Sequence, residues 1–475
     1  MLFLTYMFAL GLPAMVVAAL AGLAVLLRRS AARSASAAEV AAAKSIGGTT
    51  VGFFHPYCNA GGGGERVLWC AVQALCEQSV DIHCVVYTGD IDASKAQILD
   101  TAQSRFGLGI DPARVTFVFL RRRGLVEAAR YPHFTMLGQS LGSMVLGWEA
   151  LSQVVPEVFI DSMGYAFVLP IARWLAGCRV GCYVHYPTIS TDMLSRVQNR
   201  EGSFNNSEAV SRSSTLTTAK LLYYRLFAAL YGMVGGCAEV VLTNSSWTHN
   251  HIVTLWGRAN RTSIVYPPCN TADLEANPLE GRLAKVVSVA QFRPEKNHAL
   301  QLQAFARFVS EYPVHASKVE LVMVGGCRNS GDQARVAALE ALLAKLNLKH
   351  CAKIVTNAPY PELKRHLREA AVGIHTMRDE HFGIGVVEFM AAGAIPLAHN
   401  SAGPRMDIVT PAADGDTGFL AATEEEYTEA LAQVFAMIPA DRLAMQRRAR
   451  QAVKHRFSDE AFREAFLAAV APLLV

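Results

Sequence analysis

Glu380 and Glu388 have seven residues between them, including the turn Phe382-Gly383-Ile384-Gly385, within the stretch His375 to Asp407. Glu388 is the odd member of an otherwise apolar run of Val386, Val387, Phe389, Met390 and Ala391. A carboxylate in that company costs free energy unless it is hydrogen-bonded. A vicinal diol such as a ribose would satisfy it, because one carboxylate can accept from two hydroxyls. Gly383 and Gly385 let backbone N–H groups approach an anion at a helix N-terminus, where the helix dipole also favours negative charge. Glu380 lies on the turn just before, within reach of whatever follows the phosphates. An ordinary α/β turn with one glutamate at a solvent edge would use the same residues, so the rest of the chain has to decide.

Two cations and a glycine loop point the same way. Arg293 and Lys296 lie on the loop after the strand that opens KVVSVAQFRPEKN (285–297), and Asn297 is expected to cap the following helix. Facing the glycine loop of the other half, they would clamp a diphosphate between domains; the alternative is two exposed surface cations. Upstream, Asn59-Ala60-Gly61-Gly62-Gly63-Gly64 joins the strand TTVGFFHPY (49–57) to the apolar helical pattern VLWCAVQAL. Strand, glycine loop and helix in that order present backbone N–H groups to phosphate. No Gly-Lys-Ser/Thr follows, and the spacing is not that of a dinucleotide fingerprint. His185 ends the strand RVGCYVHYP (179–187), at the sheet edge where open parallel sheets bind ligands. Asp90-Ile91-Asp92 has metal-site spacing, but acidic residues are common where a strand hands over to a helix, and no metal is expected.

These residues need a scaffold that brings strand ends together. A short helix is expected from near Ile384 to Ala392, stopped by Gly393. Buried strands are expected at 49–57, 81–90, 115–120, 157–164, 179–187 and in 239–248 of the first half, and in 285–297, 320–326 and 352–357 of the second. Their alternation with helical patterns gives two doubly wound α/β halves. The expected boundaries are an N-terminal anchor at 1–28, a linker or frayed helix at 29–47, a first domain at 48–266, a linker at 267–283, a second domain at 284–455 and a terminal helix at 456–475. Residues 134–154 and 219–236 are apolar but interrupted, and read as core or interfacial helices. The polar stretch 200–217 reads as a mobile loop, a candidate cover for a substrate. Arg121-Arg122-Arg123 is a solvated loop or, near an anionic membrane, a source of surface affinity.

Composition narrows the class. The chain has 475 residues, a formal net charge of +4 and 52% hydrophobic residues. The mild, dispersed basicity does not call for nucleic acid. Residues 1–27 carry no charged side chain, and Arg28, Arg29 and Arg33 follow. That run is long enough to span a bilayer and lacks the basic start of a cleavable signal. The arginines after it place the bulk of the chain in the cytosol. Ten cysteines show no disulfide or zinc spacing. The sequons at Asn205, Asn244 and Asn260 are then chance matches.

HPYCNAGGGGERVLW, YPHFTMLGQSLGSMVLGWEAL, HYPTIS, NSSWT, QFRPEKNH and EHFGIGVVEFMAAGAIPLAHNSAGP together resemble the GT-B glycosyltransferases of family 4. Within that family they look like the α-1,2-mannosyltransferases of endoplasmic reticulum N-glycan assembly, over residues 48–460. The resemblance implies two Rossmann-like domains facing a cleft, and the transmembrane anchor expected from the N-terminal run agrees with it independently. It implies transfer of the fourth and fifth mannoses from GDP-mannose, with retention and without a metal, to a dolichyl-diphosphate oligosaccharide at the cytosolic face of the endoplasmic reticulum membrane. Other mannosyltransferases of the pathway would be candidate partners. Glu388 would hold the ribose, and Glu380 the hydroxyls of the transferred mannose. Arg293 and Lys296 would neutralise the leaving diphosphate, assisted by backbone amides at Gly383 and Ile384. Gly62, Gly63 and Gly64 would approach the phosphates, and His185 would lie near the anomeric centre. Another lipid-linked-oligosaccharide glycosyltransferase of the same fold remains open, as does a catalytically silent scaffold. The latter should have lost its buried site charges, which cost stability without function.

Overall fold

A computed structural model describes residues 18–43, 47–198, 214–269 and 271–475. The expected anchor at 1–28 falls mostly before residue 18, and the expected mobile loop mostly within 199–213, so both lie largely outside the described residues. Among the described residues no helix is long and apolar enough to cross a membrane.

The chain forms two compact units, one made of residues 1–244, 248–265 and 463–475, the other of 245–247 and 266–462. The first unit holds seven parallel strands, β1 (Thr49–Phe54), β2 (Ile82–Thr88), β3 (Val115–Phe119), β4 (Val158–Asp161), β5 (Arg179–Val184), β6 (Val240–Thr243) and β7 (Thr262–Ile264). They lie in the order β3-β2-β1-β4-β5-β6-β7. The second unit holds β8 (Leu283–Val289), β9 (Glu320–Gly325), β10 (Ala352–Thr356), β11 (Ala370–His375), β12 (Ile395–His399) and β13 (Phe419–Ala421), in the order β10-β9-β8-β11-β12-β13. Every pairing in both sheets is parallel.

Helices cover both faces of such a sheet, so its strands read as unbroken apolar runs rather than alternating ones. All seven residues of β2 are buried accordingly. Each sheet reverses its winding once, between β1 and β4 in the first unit and between β8 and β11 in the second. Ligand crevices form outside the carboxyl ends of strands at that switch point. His55 and Ser162 follow the two strand ends in the first unit. His375 ends β11 in the second, and the loop bearing Arg293 and Lys296 follows β8.

Two segments gain packing that the sequence reading left open. The expected linker or frayed helix at 29–47 is largely helical, with helix Ala35–Ala43 and a helical stretch at 18–32. Leu27 and Val40 are buried in the same apolar cluster as Phe54, Tyr87 and Phe159. The Ala- and Ser-rich composition conceals this, since only a few large side chains make the contact. The terminal helix, Asp459–Leu474, returns from residue 463 onward to the first unit. Phe462, Phe466, Val470 and Leu473 recur at helical spacing and are all buried. Arg463 also pairs with Glu77 at 2.8 Å.

Candidate active site

In the second unit the helix runs Ile384–Ala392, as its composition predicts, between Gly383 at its start and Gly393 just past its end. Both glycines have positive φ, 115° and 90°, a region that side chains with a Cβ rarely enter. The turn ahead of the helix is held from the neighbouring segment. The Asp379 N–H donates to the Ser401 hydroxyl at 2.8 Å, and the Gly403 N–H donates to the Glu380 carbonyl at 3.0 Å. A side chain at Gly403 would collide with the Phe382 carbonyl. Beneath the turn Phe382 packs on Tyr266 and Phe457, with ring centroids 5.9 and 5.4 Å away.

This turn delivers Glu380 to Lys296. The Lys296 ammonium lies 2.5 Å from Glu380 Oε2, and His375 Nε2 lies 3.2 Å from the same oxygen. Burial by itself would push the Glu380 carboxyl up, but the His375 hydrogen bond and the Lys296 charge hold it well below the usual carboxylate range. Lys296 is positioned through its backbone. The Thr376 hydroxyl donates to the carbonyls of Lys296 and Asn297 at 2.8 and 3.1 Å, and in turn accepts from the Gln301 amide at 2.9 Å. Asn297 starts the next helix in the left-handed conformation, φ 49°, without the side-chain cap expected from its type. Arg293 begins the same short turn, 3.8 Å from Glu295 and 42% exposed, which leaves its guanidinium accessible to solvent and ligand. His298 packs against Phe292 with the rings tilted, and burial first, then the neighbouring Lys296 charge, lowers its pKa to about 4.

The first unit gathers a second set. Gly62 caps the helix Gly63–Gln78, and its N–H donates to the Glu65 carboxylate at 2.8 Å. That amide, expected to meet phosphate, therefore already has a partner. Gly64 lies beside His185; a Cβ there would stand 3.8 Å from its ring. His185 Nε2 is 3.0 Å from the Ser162 carbonyl and so donates, leaving Nδ1 as the acceptor. Burial lowers its pKa to about 4, so the ring is neutral. His55 bonds the Ser162 hydroxyl through Nδ1 at 2.8 Å, with its Nε2 buried and unpartnered among the described residues. A cavity of about 500 Å³ opens here, lined among others by Glu65, Gln139, Ser143, Tyr165, His185 and Tyr186. Hydroxyl, amide and aromatic groups of this kind suit an uncharged carbohydrate. Asp90 of the D-x-D pair binds Arg123 and accepts from the Asn59 N–H, a structural role at the root of the glycine loop. Among the described residues no His, Cys, Asp or Glu cluster is placed to hold a metal ion.

Asp161, at the end of β4, is fully buried with one carboxylate oxygen unpartnered among the described residues. Burial pushes its pKa up to about 7, against the pull of backbone hydrogen bonds such as that from Met163. An unfolded aspartate titrates near ~3.9, so the folded state binds the extra proton between those values. Its stabilising effect is complete below about pH 4 and is lost as pH rises through about 7. Asp161→Asn is expected to melt higher than the parent at pH 8 and equally at pH 4. Parallel Tm–pH curves would contradict the burial argument.

Residues 48–256 match the family described as "ALG11 mannosyltransferase N-terminus", and residues 270–454 match "Glycosyl transferases group 1". A protein of Mus musculus is 53% identical over 431 residues, covering 90% of this chain and 87% of its own. One of Dictyostelium discoideum is 45% identical over 440 residues, with 91% and 86% covered. Both carry the name GDP-Man:Man(3)GlcNAc(2)-PP-Dol alpha-1,2-mannosyltransferase. This chain belongs to that mannosyltransferase family. A solved sucrose-phosphate synthase of Thermosynechococcus elongatus superposes with a TM-score of 0.63 at 17% identity, covering 90% of this chain and 99% of its own. A solved Anabaena HepE in complex with UDP gives 0.60 at 15%, covering 89% and 100%. At such identities the likeness concerns the fold, which is the GT-B glycosyltransferase fold.

Within the second unit Lys296 meets Glu380, and within the first Gly64 lies beside His185. Glu388 sits half-buried on the helix that Gly383 and Ile384 begin. Sequence reasoning overlooked His375, Thr376, His55 and Ser162. Each follows or ends a buried strand, and the switch-point rule could have singled them out once the strand order was known. His375→Gln keeps a hydrogen-bond donor near Glu380, whereas His375→Ala removes it. The alanine variant is expected to lose about tenfold or more in kcat and glutamine to recover part of it, as for a hydrogen bond to a charged group. Equal activity of the two variants would exclude a positioning role for that bond.

Proposed function

We propose that this chain is a retaining, metal-independent α-1,2-mannosyltransferase that moves mannose from GDP-mannose to a dolichyl-diphosphate-linked oligosaccharide, adding its fourth and fifth mannoses. The observation that carries the reading is the Lys296–Glu380 pair set directly before the glycine-started helix of Glu388. Breaking the bond between sugar and diphosphate builds negative charge on the leaving group. Fixed cations and amides aimed at that charge are the strongest device available to a site of this kind. Lys296, Arg293 and the amides at Gly383 and Ile384 would take the diphosphate, and Glu388 would accept from the ribose hydroxyls. Glu380, kept ionised, would accept from hydroxyls of the transferred mannose. Lys296 and Glu380 pair with each other, which lowers the cost of holding both charges in a partly buried site. Among the described residues no carboxylate stands out as a nucleophile, in keeping with a same-face reaction in which the leaving phosphate oxygen takes the acceptor proton. The apolar run before Arg28 and the arginines after it support an endoplasmic reticulum anchor with both units in the cytosol, where other mannosyltransferases of the pathway would be within reach.

The test is transfer from radiolabelled GDP-mannose to a phytanyl-diphosphate trimannosyl-chitobiose acceptor in the presence of EDTA. Products one or two mannoses longer and sensitive to α-1,2-mannosidase are expected. Bound GDP-mannose without product would assign a different acceptor. Loss of transfer in EDTA, restored by a divalent cation, would refute metal independence.

A further inference from the structure

We propose that Arg121, Arg122 and Arg130 form a site for the diphosphate of a lipid-linked acceptor, with the adjoining apolar helix faces receiving the first part of its lipid chain. The acceptor's identity rests on the function proposed above; the diphosphate chemistry rests on the pocket itself. The three arginines line a pocket of about 420 Å³ together with Gly124, Leu125 and Val145. The loop is fixed without using its charge. The Glu149 carboxylate accepts from the backbone N–H groups of Arg121 and Arg122 at 2.9 and 3.2 Å. Arg123 turns away to pair with Asp90 and cover the Tyr57 ring. The guanidinium groups of Arg121, Arg122 and Arg130 are exposed and in no ion pair among the described residues. Guanidinium forks match phosphate oxygens two at a time, so three of them at one concavity suit a diphosphate better than a singly charged headgroup.

The walls of this pocket continue into exposed apolar surface. Val145 shares one face of helix Thr135–Leu151 with Leu141 and with Phe134 just ahead of it, exposed by 41, 52 and 65%. Phe134 meets Tyr223 edge to face, with ring centroids 5.2 Å apart. Tyr223 belongs to helix Ser214–Gly235, on which Leu222, Leu226, Leu230 and Met233 recur along one exposed face. A stripe this long is unusual beside free cations and suits a partner with an anionic head and a hydrocarbon tail. The opposite face of helix Thr135–Leu151 lines the sugar-fitting cavity through Gln139, Ser140 and Ser143. One helix diameter, about 10 Å, therefore separates the arginine pocket from that cavity. A ligand with sugars, a diphosphate and a prenyl chain would find a matched surface for each part.

The experiment uses the full-length protein in detergent with GDP in excess, so that the nucleotide site is filled. Calorimetric binding of farnesyl diphosphate and of farnesol is compared in the parent and in Arg121→Gln/Arg122→Gln. The parent is expected to bind farnesyl diphosphate, and the variant to bind it at least about tenfold more weakly, as for the loss of hydrogen bonds to a charged group. Farnesol affinity and GDP affinity should not change. Absence of farnesyl diphosphate binding, or an equal loss for farnesol, would overturn the proposal. So would salt-sensitive attachment to phosphatidylserine vesicles that the variant loses while its farnesyl diphosphate binding is intact, since that assigns the arginines to phospholipid headgroups. These readouts need no transfer, so failure of the proposed activity would leave the result of this test readable.

Discussion

Lys296→Ala is expected to reduce turnover by about 10²–10³-fold, the usual effect of removing one preorganised group that stabilises transition-state charge. GDP-mannose binding should fall less, because Arg293 and the amides at the start of helix Ile384–Ala392 remain. The substitution also strands Glu380. Its carboxylate is 15% exposed and would keep only His375 of its two partners. Breaking a fully buried ion pair costs about 3–5 kcal/mol, and partial exposure of both groups here should reduce that figure. The effect depends on pH in a defined direction. Glu380 has a depressed carboxyl pKa in the folded protein, so its contribution to stability is present above the unfolded value near ~4.3 and is lost as pH falls below it. Without Lys296 the Glu380 pKa moves back toward its unfolded value, so the stability deficit of the variant should be largest near neutral pH and narrow as pH falls below about 4. The double variant Lys296→Ala/Glu380→Gln should recover stability but not turnover. Single-turnover kinetics together with thermal melts between pH 3 and 8 separate the two effects. Near-normal turnover in Lys296→Ala would refute the charge-stabilising role outright.

Glu388→Ala should weaken the affinity for GDP-mannose by about 10- to 150-fold, the range for hydrogen bonds to a charged group worth ~1.5–3 kcal/mol. Inhibition by inorganic pyrophosphate, which has no ribose, should not change. That pair of measurements distinguishes recognition of the diol from general damage to the helix. An equal loss for both ligands would mean that Glu388 supports the fold of the turn, and unchanged GDP-mannose affinity would remove the ribose role.

The helix that carries Glu388 was readable to the residue because its signals are local. Gly383 and Gly393 bound it in positive-φ conformations that glycine adopts freely, and the apolar run between them leaves Glu388 conspicuous. The βα alternation was readable for a similar reason, since strands buried on both faces are continuous apolar runs. Other features were not legible in this way. Ala35–Ala43 resembles a linker because helix propensity is high in both a packed alanine helix and a frayed one, and only the burial of Val40 tells them apart. The last helix shows its apolar face in the sequence, but not which unit will cover it.

The sequence by itself determined the residue types of the site, the two doubly wound halves and the family to which the chain belongs. Tertiary structure alone decided the pairings. Lys296 and Glu380 are brought to 2.5 Å because β8 and β11 are neighbours in the sheet, although strands β9 and β10 lie between them in the chain. His375 joins them as the last residue of β11, and Ser162 joins His185 because β4 lies beside β5. Motif spacing records distance along the chain, whereas charge pairing depends on distance through space. Strand order, set by how apolar helices and strands pack together, is what converts one into the other.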